Sequence, residues 1–497
     1  MNFGKVIFRI PSPVKKAKIN NKDLKLLGIS HPELLISIGR EANRILKRKT
    51  LSKVDILNAI RGMIENPDGK VWENHPLKEI STIIREKYQE KKVEYEEQTN
   101  KQNTFLRETP LPYPTYGEHQ IEASAIQQMD RAMSLPISIA GALMADAHEG
   151  YGLPIGGVLA TNEGTVIPYA VGVDIACRMC MSVFPMDPTQ NDKVRVKLRN
   201  LLYQHTIFGV GTKNKNHIDT SLFDKSEWKA TRFIRQHSDL AYSQLGTSGA
   251  GNHFVEWGEL NVLTDAPEVN LKKGNYIALL SHSGSRGFGN EVANFYSKVA
   301  MGKVHLPREA RHLAWLDLSS EEGHEYWIAM NLAGEYASAN HREIHQKISG
   351  GLGLTPTARI ENHHNFAWKE KLPNGKISVV HRKGATPAGK GVIGIIPGSM
   401  AHPGFIIRGK GNPDSLNSAS HGAGRRMSRS QAMKTFSWNE LESALEKFGV
   451  ELIGGDLDES PMAYKNIEDV MKLQQDLVEV IAVFQPRIVR MAEGRRR

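Results

Sequence analysis

Val173-Asp174-Ile175-Ala176-Cys177-Arg178-Met179-Cys180 places a carboxylate and a thiol three residues apart. Once deprotonated, both side chains are metal ligands. A hard oxygen beside a soft sulfur can share or bridge divalent ions of the zinc, manganese or cobalt type. Asp-x-x-Cys also arises by chance, so its meaning depends on the rest of the chain. His253, His282 and His364 each lie in a short polar or glycine-rich run: Gly251-Asn252-His253-Phe254, Ser281-His282-Ser283-Gly284-Ser285-Arg286-Gly287 and His363-His364-Asn365-Phe366. A fourth, His421, opens His421-Gly422-Ala423-Gly424-Arg425. A lone histidine is usually a hydrogen-bonded loop or core residue, and ordered motifs shift that balance. Cys177 and Cys180 are the only cysteines. Their Cys-x-x-Cys spacing also fits half a zinc site or a redox pair, although no second pair completes the former.

The chain has 497 residues, enough for two to four domains with a large core. It is 40% hydrophobic and 24% charged, an ordinary globular composition. No apolar run approaches the roughly 18 residues of a membrane helix. The first residues lack the pattern of a signal peptide, and two cysteines give no disulfide framework, so a cytoplasmic location is expected. With 64 Lys+Arg against 54 Asp+Glu, the formal charge of +10 favours a polyanionic partner such as nucleic acid without locating a site.

Residues 1–100 read as a separate helical region. Ser30-His31-Pro32-Glu33 resembles a helix start, followed by Leu34, Leu35, Ile38, Ala42 and Ile45 at helical spacing. Ser52 caps a second helix, and a charged third is expected from Glu79 to about Glu97. The basic run Arg44–Lys49 fits a solvated helix end better than a phosphate contact. Residues 101–116, polar and then proline-rich, read as a linker. From 117 to 497 the texture changes to short apolar runs between glycines: 137–140, 154–159 and 166–173, which read as strands feeding loops. In Asp146-Ala147-His148-Glu149-Gly150, Asp146 and His148 either orient a ligand or serve as turn residues. Residues 181–245 and 291–350 read as mostly helical. Gly246–Gly251 allows close approach of a ligand to the backbone. Ser437 begins a helix, and another is expected from Ile467 to Phe484. His421 is a competent nucleophile toward phosphorus, and arginines beside it would stabilise the charge that accumulates there.

With these motifs in view, the sequence resembles the RtcB family of RNA-splicing ligases from about residue 117 to about 490. The resemblance rests on an ordered set: His148–Gly157, Asp174/Cys177, Gly251–Glu256, Ser281–Gly287, His364-Asn365, His381–Thr386, Pro397–Met400 and His421–Arg425. It implies an α+β fold, one large catalytic domain with mixed sheets around a deep cleft. It also implies two manganese ions, GTP, and RNA ends as substrates. His421 matches the histidine that is guanylylated; the GMP then passes to an RNA 3′-phosphate and is displaced by a 5′-hydroxyl. Ends bearing a 2′,3′-cyclic phosphate are first opened. By the same carry-over, Asp174, Cys177, His253, His282 and His364 are the metal ligands, with Cys177 shared. Asn252, His253, Phe254, Val255, Glu256, His364, Asn365, Pro397, Gly398, Ser399, Met400, His421, Gly422, Ala423 and Gly424 line the guanylate site. Arg425, Arg426 and Arg429 are candidates for RNA contact.

The sequence departs from the family pattern in three places. A C-terminal lysine that contacts guanylate is replaced by Arg490 or Met491, a serine after Pro397–Met400 is missing from Ala401-His402-Pro403-Gly404, and Cys180 is additional. An RNA ligase is therefore the expected function. A metal-dependent RNA-end phosphatase or cyclic phosphodiesterase is the alternative that the missing lysine favours, and a non-catalytic RNA-binding relative is a third.

Overall fold

A computed structural model describes residues 18–88 apart from 49, 68, 69 and 74, and residues 105–494 apart from 188–191 and 216–220. The chain divides into two compact units at residues 103/104.

In the first unit, Pro32–Lys47 starts at His31, whose ring accepts the amide proton of Glu33, and buries Leu34, Leu35, Ile38, Ala42 and Ile45 along one face. Lys53–Glu65 begins with a reciprocal cap between Ser52 and Asp55 and buries Ile56, Ile60 and Met63. Such a cap contributes about 1 kcal/mol. These faces close on Leu77, Ile80, Ile84 and Tyr88 in one apolar cluster. The expected third helix is described as Lys78–Ile83 with a wider turn through Tyr88; residues 89–97 lie outside the described residues, as do Lys49 and 101–104.

The second unit is built on two main sheets, beside two two-stranded pairs, Ala385–Pro387 with Ser418–Ser420 and Thr165–Val166 with Leu316–Asp317. In the larger, the strands run in the order Ile393–Ile396, Gly404–Gly409, Val478–Glu493, Phe254–Val262, Gly274–Ser283, Arg178–Phe184 and Ala358–His363, and Glu451–Gly455 pairs in parallel with Val478–Glu493. The smaller has Ser138–His148, Ile155–Asn162, Ile377–Lys383 and Asn365–Lys371, all antiparallel. The chain crosses from the larger sheet to the smaller at His364, between Ala358–His363 and Asn365–Lys371. Helices Arg286–Lys303 and Glu321–Leu352 carry much of the largest apolar cluster. The architecture is α+β with mixed sheets, as expected.

Three segments differ from their sequence reading. Residues 105–116, expected as part of a linker, are fastened to the second unit. Leu106, Leu111 and Tyr113 pack against the cluster of helix Ala123–Met133, and Tyr113 donates to Asp130 at 2.8 Å. Of Val166–Val173 only Val166 is in a strand, the two-residue Thr165–Val166, and one helical turn follows, Pro168–Val171, because proline fits the first helical position. Ile467–Phe484 is helical only over Ile467–Lys472; Val478–Glu493 is a central strand. Its β-branched run Val478, Val480, Ile481 and Val483 suits a strand flanked on both edges. Among the described residues, no helix is long and apolar enough to cross a membrane.

Candidate metal centre and nucleotide cleft

Register across the larger sheet brings the ligand candidates together. Phe254 pairs with His282, Met179 with His282, and Arg178 with His363, so residues at or just beyond four strand ends share one edge. Cys177 precedes its strand, His253 precedes Phe254, His282 is next to last in its strand, and His364 sits at the sheet crossing. Asp174 enters from the loop before Cys177. Two overlapping sets result, Cys177–His282–His364 and Asp174–Cys177–His253, with ligand atoms within 4.8 Å of one another in each. Cys177 belongs to both.

The proton positions test whether a cation fits. His253 Nδ1 lies 3.0 Å from the Ser248 carbonyl, and His282 Nδ1 lies 3.0 Å from the Asn252 carbonyl. A carbonyl only accepts, so both rings carry a proton on Nδ1, which leaves Nε2 as the atom available to a cation. The two Nε2 atoms face the other ligand candidates. His253 Nε2 is 2.9 Å from Asp174 Oδ2 and 3.6 Å from Cys177 Sγ. His282 Nε2 is 3.1 Å from Cys177 Sγ and 3.3 Å from His364 Nε2. Inward lone pairs backed by outward N–H···O=C bonds are the arrangement of metal-ligating histidines. Burial pushes His282 down to about 3 and His364 well below the usual imidazole range, keeping both rings neutral. Burial, and then the neighbouring Asp174 carboxylate, push the Cys177 thiol up. A bound divalent ion reverses that for a coordinating thiol. The donor set fits divalent metal.

Beside it lies a cavity of about 220 Å³, whose walls include Asn252, Phe254, Glu256, His282, His364, Pro397, Gly398, Ser399, Met400, His421, Gly422, Ala423 and Gly424. His421 stands 4.8 Å, ring to ring, from His364. Its Nδ1–H donates to Asp146 Oδ2 at 2.6 Å, and the same oxygen accepts the backbone N–H groups of His421 and Gly422 at 3.1 and 3.3 Å. Burial works against charge on Asp146, but His421, His148 and Lys465 together hold its carboxyl below the usual range. Lys465 donates to the carbonyls of Ala145 and Ala147 on either side. Asp146 thus holds the ring of His421 in place.

Most of the expected cleft residues converge, and three do not line the cavity: His253 lies among the metal-ligand candidates, and Val255 and Asn365 turn elsewhere. Val255 points away into the apolar core, because strand residues alternate faces and Phe254 and Glu256 take the cleft side. Asn365 instead ties loops together, donating to the Asp174 carbonyl at 3.2 Å and accepting from Gly384 N–H at 2.8 Å. His363 stacks on Trp368, away from the metal ligands. Arg425 and Arg429 reach the cavity but are paired with acids: Arg429 contacts Asp458 and Glu459 at 2.9 and 2.8 Å, and Arg425 lies 3.6 Å from Glu459. Arg426 is exposed. Of the two positions considered for the C-terminal lysine, Met491 lies on the cavity wall. Arg490 turns outward, donating to the Leu202 carbonyl at 2.9 Å and lying over Tyr203. His402 also lines the cavity, its Nδ1 2.8 Å from Ser399 Oγ. Sequence reasoning passed over it because it stood in a run identified only by a missing serine.

Fold and cleft define an α+β protein with two overlapping sets of candidate metal ligands beside a cavity of about 220 Å³. The family described as tRNA-splicing ligase RtcB matches residues 128–241 and 224–492, and the chain belongs to that family. RNA-splicing ligase RtcB of Escherichia coli strain K12 is 33% identical over 390 residues, covering 73% of this chain and 92% of its own. The tRNA-splicing ligase RtcB of Methanococcus maripaludis is 31% identical over 427 residues (72% and 88%), and that of Archaeoglobus fulgidus 30% over 422 residues (71% and 87%).

Proposed function

We propose that this chain is an RNA ligase that uses GTP and two manganese ions to join RNA 3′-phosphate or 2′,3′-cyclic phosphate ends to 5′-hydroxyl ends, in tRNA splicing or RNA repair. The observation that carries the reading is the Asp146-held His421 beside the metal ligands. With its proton on Nδ1, the ring directs the Nε2 lone pair toward the cleft. Attack on the α-phosphorus of GTP forms a P–N bond and breaks the bond to the departing pyrophosphate. The positive charge that the imidazole gains lies against the Asp146 carboxylate. Asp174, Cys177, His253, His282 and His364 hold the metals, which supply positive charge to the phosphate oxygens. The guanylyl group passes to an RNA 3′-phosphate, and the 5′-hydroxyl displaces GMP. The exposed Arg426 is left for the RNA backbone, while Arg425 and Arg429 shape the cleft through Glu459.

The apolar Met491 on the cavity wall favours one second reading, a metal-dependent RNA-end phosphatase or cyclic phosphodiesterase without ligation. Incubation with manganese and α-labelled GTP separates the two. Acid-labile label on the native chain and none on His421→Ala is expected. An unlabelled native chain that still opens cyclic phosphate ends would replace the ligase reading with the second.

A further inference from the structure

On the opposite face of the same sheet lies a second set of ligand atoms that the reaction does not use. Cys180 pairs across the strands with Ser281, the neighbour of His282, so the two clusters sit back to back. Facing Cys180 are His341 and His345, four residues apart on Glu321–Leu352 and therefore on one helix face. Cys180 Sγ and the two imidazoles lie within 4.8 Å of one another, and none of the three residues is more than 2% exposed.

We propose that Cys180, His341 and His345, with the Ser281 hydroxyl as fourth donor, form a closed structural site for a zinc ion. Two histidines one helical turn apart with a cysteine from a facing strand match zinc's preference for nitrogen and sulfur. Tetrahedral bonds of about 2.0–2.3 Å put ligand atoms roughly 3.3–3.8 Å apart, within reach of small side-chain adjustments. The outward contacts suit ligation. His341 Nε2 lies 3.1 Å from the Ser283 carbonyl, which fixes its proton there and frees Nδ1, 2.6 Å from Ser281 Oγ. His345 Nδ1 lies 2.8 Å from Ser182 Oγ and its Nε2 2.8 Å from Ser281 Oγ. Zinc places the His345 proton on Nδ1, donated to Ser182, and the Cys180 thiol releases its proton to solvent. Without zinc, the hydrogen bonds close as a single chain: Ser182 to His345, His345 to Ser281, Ser281 to His341, His341 to the Ser283 carbonyl. That chain does not include the buried Cys180, whose thiol then has, among the described residues, only the Arg359 side chain as a partner. The site pins the helix that also holds the cleft loop, where Asn340 accepts from Gly246 N–H at 2.7 Å and donates to the Thr247 carbonyl at 3.0 Å. The role is structural because no ligand reaches solvent.

The test uses the full chain produced with added zinc, dialysed against chelator and assayed for metal. One zinc per chain is expected to resist removal in the native protein and in Cys177→Ala, and to be lost in Cys180→Ser and His345→Gln. Zinc-edge X-ray absorption of Cys177→Ala, which lacks the cleft thiol, is expected to show a sulfur ligand at about 2.3 Å. This last measurement decides the matter even where the Cys180 variant fails to fold. Absence of retained zinc in Cys177→Ala, or zinc there with only nitrogen and oxygen ligands, would overturn the site in favour of the hydrogen-bonded chain. Neither outcome bears on His421, so the ligase reading stands or falls separately.

Discussion

Asp146 Oδ2 lies 2.6 Å from Nδ1 of His421, across 275 residues of sequence, and accepts the backbone amides of His421 and Gly422 as well. The carboxylate selects the tautomer and turns Nε2 into the cleft. Asp146→Asn preserves shape and leaves an amide oxygen to accept from Nδ1–H and the two backbone N–H groups, but it removes the negative charge that lies against the imidazole as the ring becomes cationic. Loss of an orienting carboxylate of this kind costs on the order of 10²- to 10⁴-fold in rate. The rate of labelling by α-labelled GTP should fall by that amount while metal content stays native. Labelling at the native rate would show that the charge on Asp146 has no part in the reaction.

His381 gives the fold an acid limit. Ile167 N–H donates to its Nε2 at 2.9 Å, and its Nδ1–H donates to the Leu159 carbonyl at 3.1 Å, so the ring is needed neutral. Burial pushes it down to about 4 from the usual 6.5. The unfolded chain takes up a proton below pH 6.5 and the folded chain does not until about pH 4. The contribution is therefore full above 6.5 and is lost as pH falls from 6.5 to 4, by about 3 kcal/mol. Urea midpoints measured between pH 7.5 and 4.5 should fall accordingly, with a shallower fall in His381→Gln. Equal slopes in the two proteins would assign the acid sensitivity elsewhere.

The spacing of ligand types was legible because a metal centre needs particular atoms, and those atoms declare themselves by residue type. Cys177, His253, His282 and His364 come together because each stands at or beside a strand end or the sheet crossing, and Asp174 joins them from the loop before Cys177. What escaped was direction. Val255 sits inside a motif that otherwise faces the cleft, and only strand alternation turns it into the core. Val478–Phe484, the first part of strand Val478–Glu493, reads in sequence as a continuation of helix Ile467–Lys472 because a short apolar run has no distinguishing period; its neighbours on both sides settle it as a strand. The Asp146–His421 pairing joins the end of strand Ser138–His148 to a glycine-punctuated loop far along the chain, a relation that local pattern does not contain.

Glu256 faces the cavity from the strand that also presents Phe254, opposite the strand carrying Val489 and Met491. Burial raises its carboxyl well above the usual range. A nucleobase that donates N–H groups would find there a strong acceptor, and binding would favour its ionised form. Hydrogen bonds to a charged group contribute about 1.5–3 kcal/mol, so Glu256→Gln should weaken GTP binding roughly 10- to 150-fold. Equilibrium binding of GTP and ATP to the two proteins checks this. A loss that is equal for both nucleotides would remove Glu256 from base selection.

Gly284 is where the metal centre requires a missing side chain. A Cβ there would lie 2.1 Å from Asp174 Oδ1 and 2.6 Å from its Cγ, closer than atoms can approach. Alanine must therefore displace the carboxylate from His253 and Cys177, or shift the strand end that holds His282. Displacing one ligand in this way is expected to lower metal affinity about 10- to 100-fold, the range seen when a ligand's orientation is lost. Gly350 is the control: it is exposed, lies within helix Glu321–Leu352, and its Cβ would meet nothing within 4 Å. Gly350→Ala should stabilise the chain by about 0.5–1 kcal/mol and leave metal binding alone. Manganese titration and thermal unfolding of both variants separate the effects. Native metal affinity in Gly284→Ala would mean that Asp174 is not held as a ligand.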